Sequence, residues 1–388
     1  MMGRVVLASL LALQPVLAPV AARPAQAVTA PQECDPEKGT VKLSAQEPWA
    51  QKRLDIKNAW RLTRGAGVTV AIIDSGTDYR HPQLRVSKFI DITHTGYRDC
   101  VGHGTAIAGI VGGRYVTGVP FHGVAPEARI VSIKQSNSKD GDVRDLATGI
   151  RQAIDAKADV INVSIKASDH PDLRAAVQEA LAHDIVIVAA AGNIDKDDGV
   201  SEPAYPASYE GVLSVGSAAP DGRRADSSST ATPVSVLAPG VNITAPWPGG
   251  GYQVNLEGTS FATPFVTGVV ALVRSRFPKL DQQQVRQRIV ATADGTVGKA
   301  TGTGMVNPTL AVTAVLPYQP ANAPVVALPA ASPLPAGAIT KVPPPDHKTV
   351  NVALGVMGGA MALAGIVAAG TRVLPMGRRR RWRAGRPS

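Results

Sequence analysis

The chain has 388 residues, of which 44% are hydrophobic, so it is long enough for one large folded domain or two ordinary ones. Its formal net charge is +10, but nine arginines lie at the two ends, at positions 4, 23, 372, 378, 379, 380, 381, 383 and 386. Without these nine, residues 28 to 371 carry a charge of about +1. This excludes a strongly basic groove over the folded part, and we expect no nucleic-acid partner.

The first 27 residues have the pattern of an export signal. Arg4 is followed by an apolar run that Pro15 and Pro19 interrupt, and Ala25-Gln26-Ala27 fits a small-residue cleavage site. A retained membrane anchor is the alternative, which the prolines and the small-residue site disfavour. Removal would leave an N-terminal extension, residues 28–49, ahead of the folded domain.

The two cysteines are Cys34, in the extension, and Cys100. An even cysteine count in an exported domain predicts one disulfide. Neither cysteine lies near a second cysteine or a spaced histidine pair, so we predict no metal site and no cofactor.

Continuous apolar runs bounded by Gly or Asp alternate with helical patterns through residues 50–316. The predicted strands are 68–76, 128–135, 158–165, 184–193 and 211–218, and the clearest helical patterns cover 142–157 and 172–183. Alternating strands and helices predict an α/β fold with a mostly parallel central sheet and helices on both faces. Active sites of such sheets form at the carboxyl ends of the strands.

Polar residues occur at those ends. Asp74 closes the first strand, Asn193 follows a later one, and His103 and Ser260 each precede an apolar helical pattern. Taken singly, each has an ordinary interpretation as a cap, a turn or a loop residue. Together they supply the orienting carboxylate, base, nucleophile and oxyanion donor that acyl transfer requires.

Four of the segments that contain these residues are IIDSGTDYRHPQL, GHGTAIAGIVGG, AAAGN and GTSFATPFVTGVVAL. They resemble the motifs of the subtilisin-like serine proteases, and Asp, His and Ser follow each other in the same chain order. The resemblance implies a three-layer subtilisin-like fold and a serine endopeptidase that acts on a protein or peptide substrate. It assigns Asp74, His103 and Ser260 to the catalytic triad and Asn193 to the oxyanion hole.

The same resemblance implies substrate contacts at Ser164 and Ile165, and a first specificity pocket floored by Ala190 and Gly192. Lys166 stands where family members commonly have a glycine. Asp78, His81 and Asp99 are interpreted as structural residues. The remaining histidines are expected at the surface, at positions 94, 122, 170, 183 and 347.

Two further segments follow the folded part. Residues 317–349 are proline-rich and predict either an extended spacer or a tether of no set length. Residues 350–374 predict one transmembrane helix, because 22 uncharged residues precede Arg372. The basic tail, residues 375–388, is then predicted to be cytoplasmic and the bulk of the chain extracytoplasmic.

This order of parts resembles the mycosins, membrane-anchored subtilisin-like proteases of actinobacterial type VII secretion systems. The resemblance implies a single-pass cell-membrane protease with components of the secretion complex as partners. A different class of function also fits: a mainly structural component that stabilises the membrane complex, with proteolysis secondary. A free digestive protease is disfavoured by the predicted anchor.

Overall fold

The computed structural model describes residues 34, 36, 38–43, 45–138, 141–194, 201–295, 297, 298, 300–317 and 347–379. The predicted signal peptide, most of the proline-rich linker and residues 380–388 of the basic tail lie outside these residues. The chain divides into two compact units, residues 1–318 and 319–388.

The first unit is built on a seven-stranded sheet, and every pair of neighbouring strands in it is parallel. Their spatial order is β2-β3-β1-β4-β5-β6-β7, and β8 and β9 form a separate antiparallel hairpin. The strands are β1 (Thr69–Asp74), β2 (Val86–Asp91), β3 (Arg129–Lys134), β4 (Val160–Val163), β5 (Val186–Ala190), β6 (Leu213–Ala218), β7 (Val236–Pro239), β8 (Ile243–Pro246) and β9 (Tyr252–Leu256).

Eight helices belong to the described part of this unit. They are α1 (Trp49–Leu54), α2 (Ile56–Ala59), α3 (His103–Gly112), α4 (Val143–Asp155), α5 (Pro171–Ala182), α6 (Thr259–Arg276), α7 (Gln282–Ala291) and α8 (Pro308–Thr313). Capping side chains determine where several of these helices begin. Asp142 accepts a hydrogen bond from the Arg144 backbone N–H at the start of α4, and Asp281 and Gln284 form a capping box on α7.

Alternate side chains of the central strands enter two different hydrophobic cores. Val70 and Ile72 of β1 pack in the core that contains α3 and α6, whereas Ala71 and Ile73 pack in the core that contains α4 and α5. Strands buried on both faces have continuous apolar sequences. This confirms the predicted α/β fold with a parallel central sheet covered on both sides.

The described residues of the N-terminal extension lie along the β8–β9 hairpin. The Gly39 N–H donates to Pro248 O at 2.8 Å, and Val41 exchanges backbone hydrogen bonds with Tyr252. Cys34 is bonded to Cys100, which confirms the predicted disulfide. The Trp49 indole donates to Val241 O at 3.0 Å, so contacts hold the described part of the extension at both of its ends.

The second unit contains one described helix, α9 (His347–Arg379). Among the described residues, no helix combines the length and the apolar character needed to cross a membrane.

Candidate active site

The carboxyl ends of three neighbouring strands collect the predicted polar residues. Asp74 is the last residue of β1, Ser164 follows β4 directly, and Asn193 lies three residues after β5. Because β1, β4 and β5 are parallel neighbours, these residues share one edge of the sheet. β1 lies between β3 and β4, where the strand order reverses, which is the usual binding position in open α/β sheets.

Asp74 holds the imidazole of His103. The His103 Nδ1 atom lies 2.8 Å and 3.0 Å from the two carboxylate oxygens of Asp74, whose side chain is only 2% exposed. Asp74 Oδ1 also accepts hydrogen bonds from the backbone N–H and the hydroxyl of Ser75. Since a carboxylate only accepts, it favours a proton on Nδ1 and fixes the orientation of the ring.

Two glycines allow His103 to approach this carboxylate. Gly102 precedes α3 with a φ of 91°, and a Cβ there would lie 2.4 Å from the Trp247 ring. A Cβ on Gly104 would lie 2.1 Å from Gly76 O. The Gly-His-Gly sequence is therefore required by close packing on both sides of the histidine.

Asp99 shapes the turn that leads into His103. Its buried carboxylate accepts hydrogen bonds from the backbone N–H groups of Val101, Gly102 and Thr105 at 2.8 to 3.0 Å. It also accepts from the hydroxyls of Thr105 and Ser75. These contacts support the interpretation of Asp99 as a structural residue.

Ser260 is the second residue of α6. The preceding Gly258 has a φ of 138°, and the position that a Cβ would take there lies 3.2 Å from Asn193 Nδ2 and 3.4 Å from Ser260 Oγ. The ring of Phe261 packs against the ring of His103, with centroids 5.2 Å apart. The start of α6 therefore brings Ser260 into the same site as His103 and Asn193.

The amide of Asn193 is oriented by Thr259. Asn193 Oδ1 accepts hydrogen bonds from the backbone N–H of Thr259 at 2.9 Å and from its hydroxyl at 3.2 Å. With the oxygen held in this way, the amide nitrogen points away from Thr259 and can donate into the site.

The predicted substrate contacts lie beside these groups. Ser164 is 3% exposed, and its hydroxyl accepts a hydrogen bond from Asn162, whose oxygen in turn accepts one from Thr267 of α6. Ile165 is half-buried. Ala190 is buried at the end of β5, and Gly192 has a φ of 90° and lies against Ala204.

Sequence reasoning missed several residues that position the site, namely Ser75, Asn162, Phe261 and Thr267, and it missed the contact of Thr259 with Asn193. One of them had a signal, because Asn162 is a polar residue inside the apolar run VINV.

The prediction that His122 lies at the surface was wrong: it is 1% exposed, and its Nε2 lies 2.8 Å from Glu47 of the extension. No group of three or more His, Cys, Asp or Glu residues suited to a metal occurs in the described part of the chain.

The chain is similar to known proteins over most of its length. Residues 65–310 match the profile of the subtilase family of peptidases. Mycosin-1 of Mycolicibacterium smegmatis is 32% identical over 390 residues, which cover 85% of each protein.

Two solved structures of related proteins have the same fold. MycP1 from the ESX-1 type VII secretion system gives a TM-score of 0.65 at 32% identity, over 74% of this chain and 90% of that one. MycP3 protease from the type VII (ESX-3) secretion system gives 0.61 at 31% identity, over 72% and 92%.

Proposed function

The chain belongs to the subtilase family and is a subtilisin-like serine endopeptidase related to the mycosins, and we propose that Asp74, His103 and Ser260 are its catalytic triad. The observation that carries this proposal is the pair of short contacts from His103 Nδ1 to the buried Asp74 carboxylate. The His103 ring also packs on Phe261, the residue after Ser260. These contacts support the assignment of a base, its orienting group and a nucleophilic serine to one site.

The chemistry follows from these positions. Ser260 Oγ attacks the peptide carbonyl while His103 Nε2 takes the hydroxyl proton, and Asp74 stabilises the imidazolium that forms. The imidazolium then gives this proton to the leaving amine as the C–N bond breaks, which leaves an acyl-enzyme. Water repeats the sequence with the same base, releasing the acid and restoring Ser260.

The negative charge that develops on the carbonyl oxygen needs donors. We assign this role to Asn193 Nδ2 and to the Ser260 backbone N–H, which lies in the first turn of α6 where helix N–H groups lack intrahelical partners. Ser164 and Ile165 are proposed to pair with the backbone of the substrate. Ala190 and Gly192 are proposed to floor the pocket for the side chain before the cleaved bond.

Hydrolysis of internally quenched peptides tests this assignment. We expect the full-length protein to cleave a mixed peptide library, and Ser260→Ala to lose nearly all of this activity. Ser168→Ala is the matched control, because Ser168 is an exposed serine outside the site. Equal cleavage by the Ser260→Ala protein would refute the triad.

We further propose that the protease domain is held outside the cell membrane by residues 350–374. Residues 350–371 carry no charge, and α9 presents exposed apolar side chains, among them Met357, Met361 and Leu363. Arg378–Arg381 follow directly and favour a cytoplasmic C-terminus. The relation to MycP1 and MycP3 suggests a role in a type VII secretion system.

Fractionation and secretion assays test this second proposal and its alternative together. Full-length protein should remain with membranes after alkaline extraction, and a chain that ends at residue 346 should be released. If secretion requires residues 347–388 but tolerates Ser260→Ala, a mainly structural role replaces the proteolytic one. If secretion fails with Ser260→Ala and survives the deletion, the structural alternative is excluded.

A further inference from the structure

The free edge of the central sheet carries a row of aromatic side chains. β2 is the terminal strand and pairs only with β3. The ring of Phe89 in β2 lies 5.6 Å from that of Tyr79 and 5.7 Å from that of Tyr97. Tyr79 and Tyr97 are 50% and 53% exposed, and with Tyr115 they are the exposed aromatic side chains of the described residues.

A cleft of about 780 Å³ opens beside this row. Its lining includes the half-buried side chains of Val86 and Ala128, the buried side chains of Leu84 and Ile130, and Tyr115, which is 44% exposed. Tyr115 is itself packed against Trp60, with ring centroids 5.8 Å apart, so its position is fixed. The cleft thus offers an apolar lining between two exposed tyrosines, Tyr79 and Tyr115.

Four arginines also line this cleft, namely Arg64, Arg85, Arg114 and Arg129, against a single acid, Glu127. Glu127 pairs with Arg64 at 3.8 Å, and Arg129 donates to Thr69 Oγ1 and Gly67 O. Among the ion pairs of the described residues, none involves Arg85 or Arg114. This concentration of positive charge is local, since residues 28–371 together carry only about +1.

The cleft is separate from the catalytic site. It is lined by the amino ends of β2 and β3, at Arg85–Ser87 and Arg129–Ile130, whereas Asp74 and Asn193 lie at carboxyl ends of strands. A ligand in this cleft therefore leaves the approach to Ser260 open. It would act as an attachment point and not as a substrate.

We propose that the β2 edge and its cleft bind an acidic, extended segment of a partner protein. The six residues of β2 match a strand of about 20 Å, at roughly 3.3 Å per residue, and their outer backbone groups can pair with it. Exposed Lys88 disfavours pairing with a second copy of this basic edge and favours an acidic strand. Tyrosine and arginine are the residue types that dominate binding energy at protein interfaces.

The apolar lining decides between partners that share negative charge. A phosphate or a lipid headgroup would satisfy the arginines but would leave the exposed rings of Tyr79 and Tyr115 and the half-buried Val86 without contacts. A peptide with alternating acidic and apolar side chains satisfies both, because alternate residues of a strand point in opposite directions.

Peptide binding to the full-length protein in mild detergent tests the proposal. The probe is a fluorescent octapeptide with alternating glutamate and valine or leucine, and the matched probe has lysine in place of glutamate. The variant is Arg85→Glu with Arg114→Glu. The control is Arg144→Glu with Arg223→Glu, which makes the same charge change at exposed positions away from the cleft.

We expect saturable binding of the acidic peptide, a loss of at least about tenfold in affinity with the Arg85→Glu/Arg114→Glu protein, and little change with the control pair. Raising the salt concentration should weaken binding, since the side chains of Arg85 and Arg114 are at least partly exposed to solvent. Labelling of Ser260 by an active-site probe should be the same in all three proteins with and without peptide.

Three results would overturn the proposal. The first is equal affinity for the acidic and basic peptides, or no saturation up to about 1 mM. The second is binding of phosphatidylglycerol vesicles, lost in the Arg85→Glu/Arg114→Glu protein, without binding of the acidic peptide, which would identify an anionic membrane surface as the ligand. The third is self-association that the same double variant abolishes, which would make the face an interface between copies of this chain.

Discussion

At the scale of single residues, the oxygen and the nitrogen of the Asn193 amide have different partners: the oxygen binds Thr259, and the nitrogen is the proposed oxyanion donor. The oxygen is held by the N–H and hydroxyl of Thr259, so the nitrogen has a fixed direction before substrate arrives. Fixed donors stabilise a developing oxyanion without the reorganisation that a mobile group or water would need. In the proposed oxyanion hole, the orientation of Asn193 therefore matters as much as the presence of its amide group.

Replacing Asn193 by alanine should lower kcat by about 10²–10³, the loss measured when the side-chain donor of the oxyanion hole of subtilisin is removed. KM should change little, because the donor acts mainly on the transition state. Steady-state kinetics on a single quenched peptide measure both constants. A kcat that stays within about twofold of the unmodified protein would remove Asn193 from the oxyanion hole.

His81 and His122 link folding stability to pH. Burial lowers the pKa of both, and for His122 it outweighs the opposing hydrogen bonds to Glu47 and Gly123 O. His81 contacts Gly251 O and faces Asp78, and both favour its charged form. For His122, the ammonium of Lys57, which pairs with Glu47, disfavours the charged form. Both histidines are therefore expected to stay neutral in the folded protein at a pH where they are charged in the unfolded chain.

The free energy of unfolding should therefore decrease as the pH is lowered. As pH falls through about 6.5, the ordinary histidine value, the unfolded chain binds protons that the folded protein excludes, so the free energy of unfolding decreases. Each histidine adds a slope of up to about 1.4 kcal/mol per pH unit until its lowered folded-state pKa is reached.

Urea unfolding at pH 7.5 and 5.5, in a Ser260→Ala background that prevents self-cleavage, measures this dependence. The His81→Gln/His122→Gln protein should lose less stability between the two pH values than its parent. The exposed His183→Gln change serves as the control. An unchanged pH dependence in the double variant would contradict the assignment.

The residues of the proposed triad stand out in the sequence because glycines and polar residues interrupt the apolar runs there, as in GHGT before α3 and GTS before α6. The Glu47–His122 contact could not be predicted. The two residues are 75 positions apart, and neither lies in a local pattern that indicates the other. Likewise, nothing near Thr259 in the sequence indicates that it orients Asn193.

At the scale of elements, the positions of the proposed catalytic groups depend on how two helices begin. α3 starts at His103 and α6 starts one residue before Ser260, each after a glycine with positive φ. Continuous apolar sequence predicted β1, β3, β4, β5 and β6, as in TVAIID of β1. The buried strand β7, which has only four residues, was missed. β2 was missed, since its sequence VSKFID mixes polar and apolar residues as an edge strand does.

The start of α3 can be tested with Gly102→Ala. The added Cβ would meet the Trp247 ring at 2.4 Å, in a backbone conformation that alanine rarely adopts, so the loop before His103 must shift. Gly118→Ala is the matched control, because Gly118 also has positive φ but has open space around it. We expect the rate of active-site acylation to fall at least about tenfold for Gly102→Ala only, given the sensitivity of catalysis to shifts of about 1 Å. Equal rates in the two variants would show that the packing against Trp247 does not position His103.

At the scale of the whole molecule, the extension is part of the folded unit. The disulfide joins Cys34 to Cys100, one residue after Asp99, and spans 66 residues. It therefore fastens the extension to the loop that positions His103. The backbone contacts of Gly39 and Val41 with the β8–β9 hairpin continue this attachment.

Removing the disulfide with Cys34→Ser/Cys100→Ser should lower the free energy of unfolding by up to about 4 kcal/mol, the chain-entropy value for a loop of this length. Thermal unfolding in the Ser260→Ala background measures the loss, and addition of a reductant to the parent protein should reproduce it. If neither treatment changes the unfolding temperature, the attachment of the extension contributes nothing to stability.

The central claim, that Ser260 is the nucleophile of an Asp74–His103–Ser260 triad, is tested most directly by mapping a fluorophosphonate adduct by mass spectrometry. The account predicts one adduct, on the peptide that contains Ser260, and slow labelling when His103 is replaced by alanine. It also predicts no labelling of the Ser260→Ala protein. An adduct on another residue, or a Ser260→Ala protein that is labelled as fast as its parent, would contradict it.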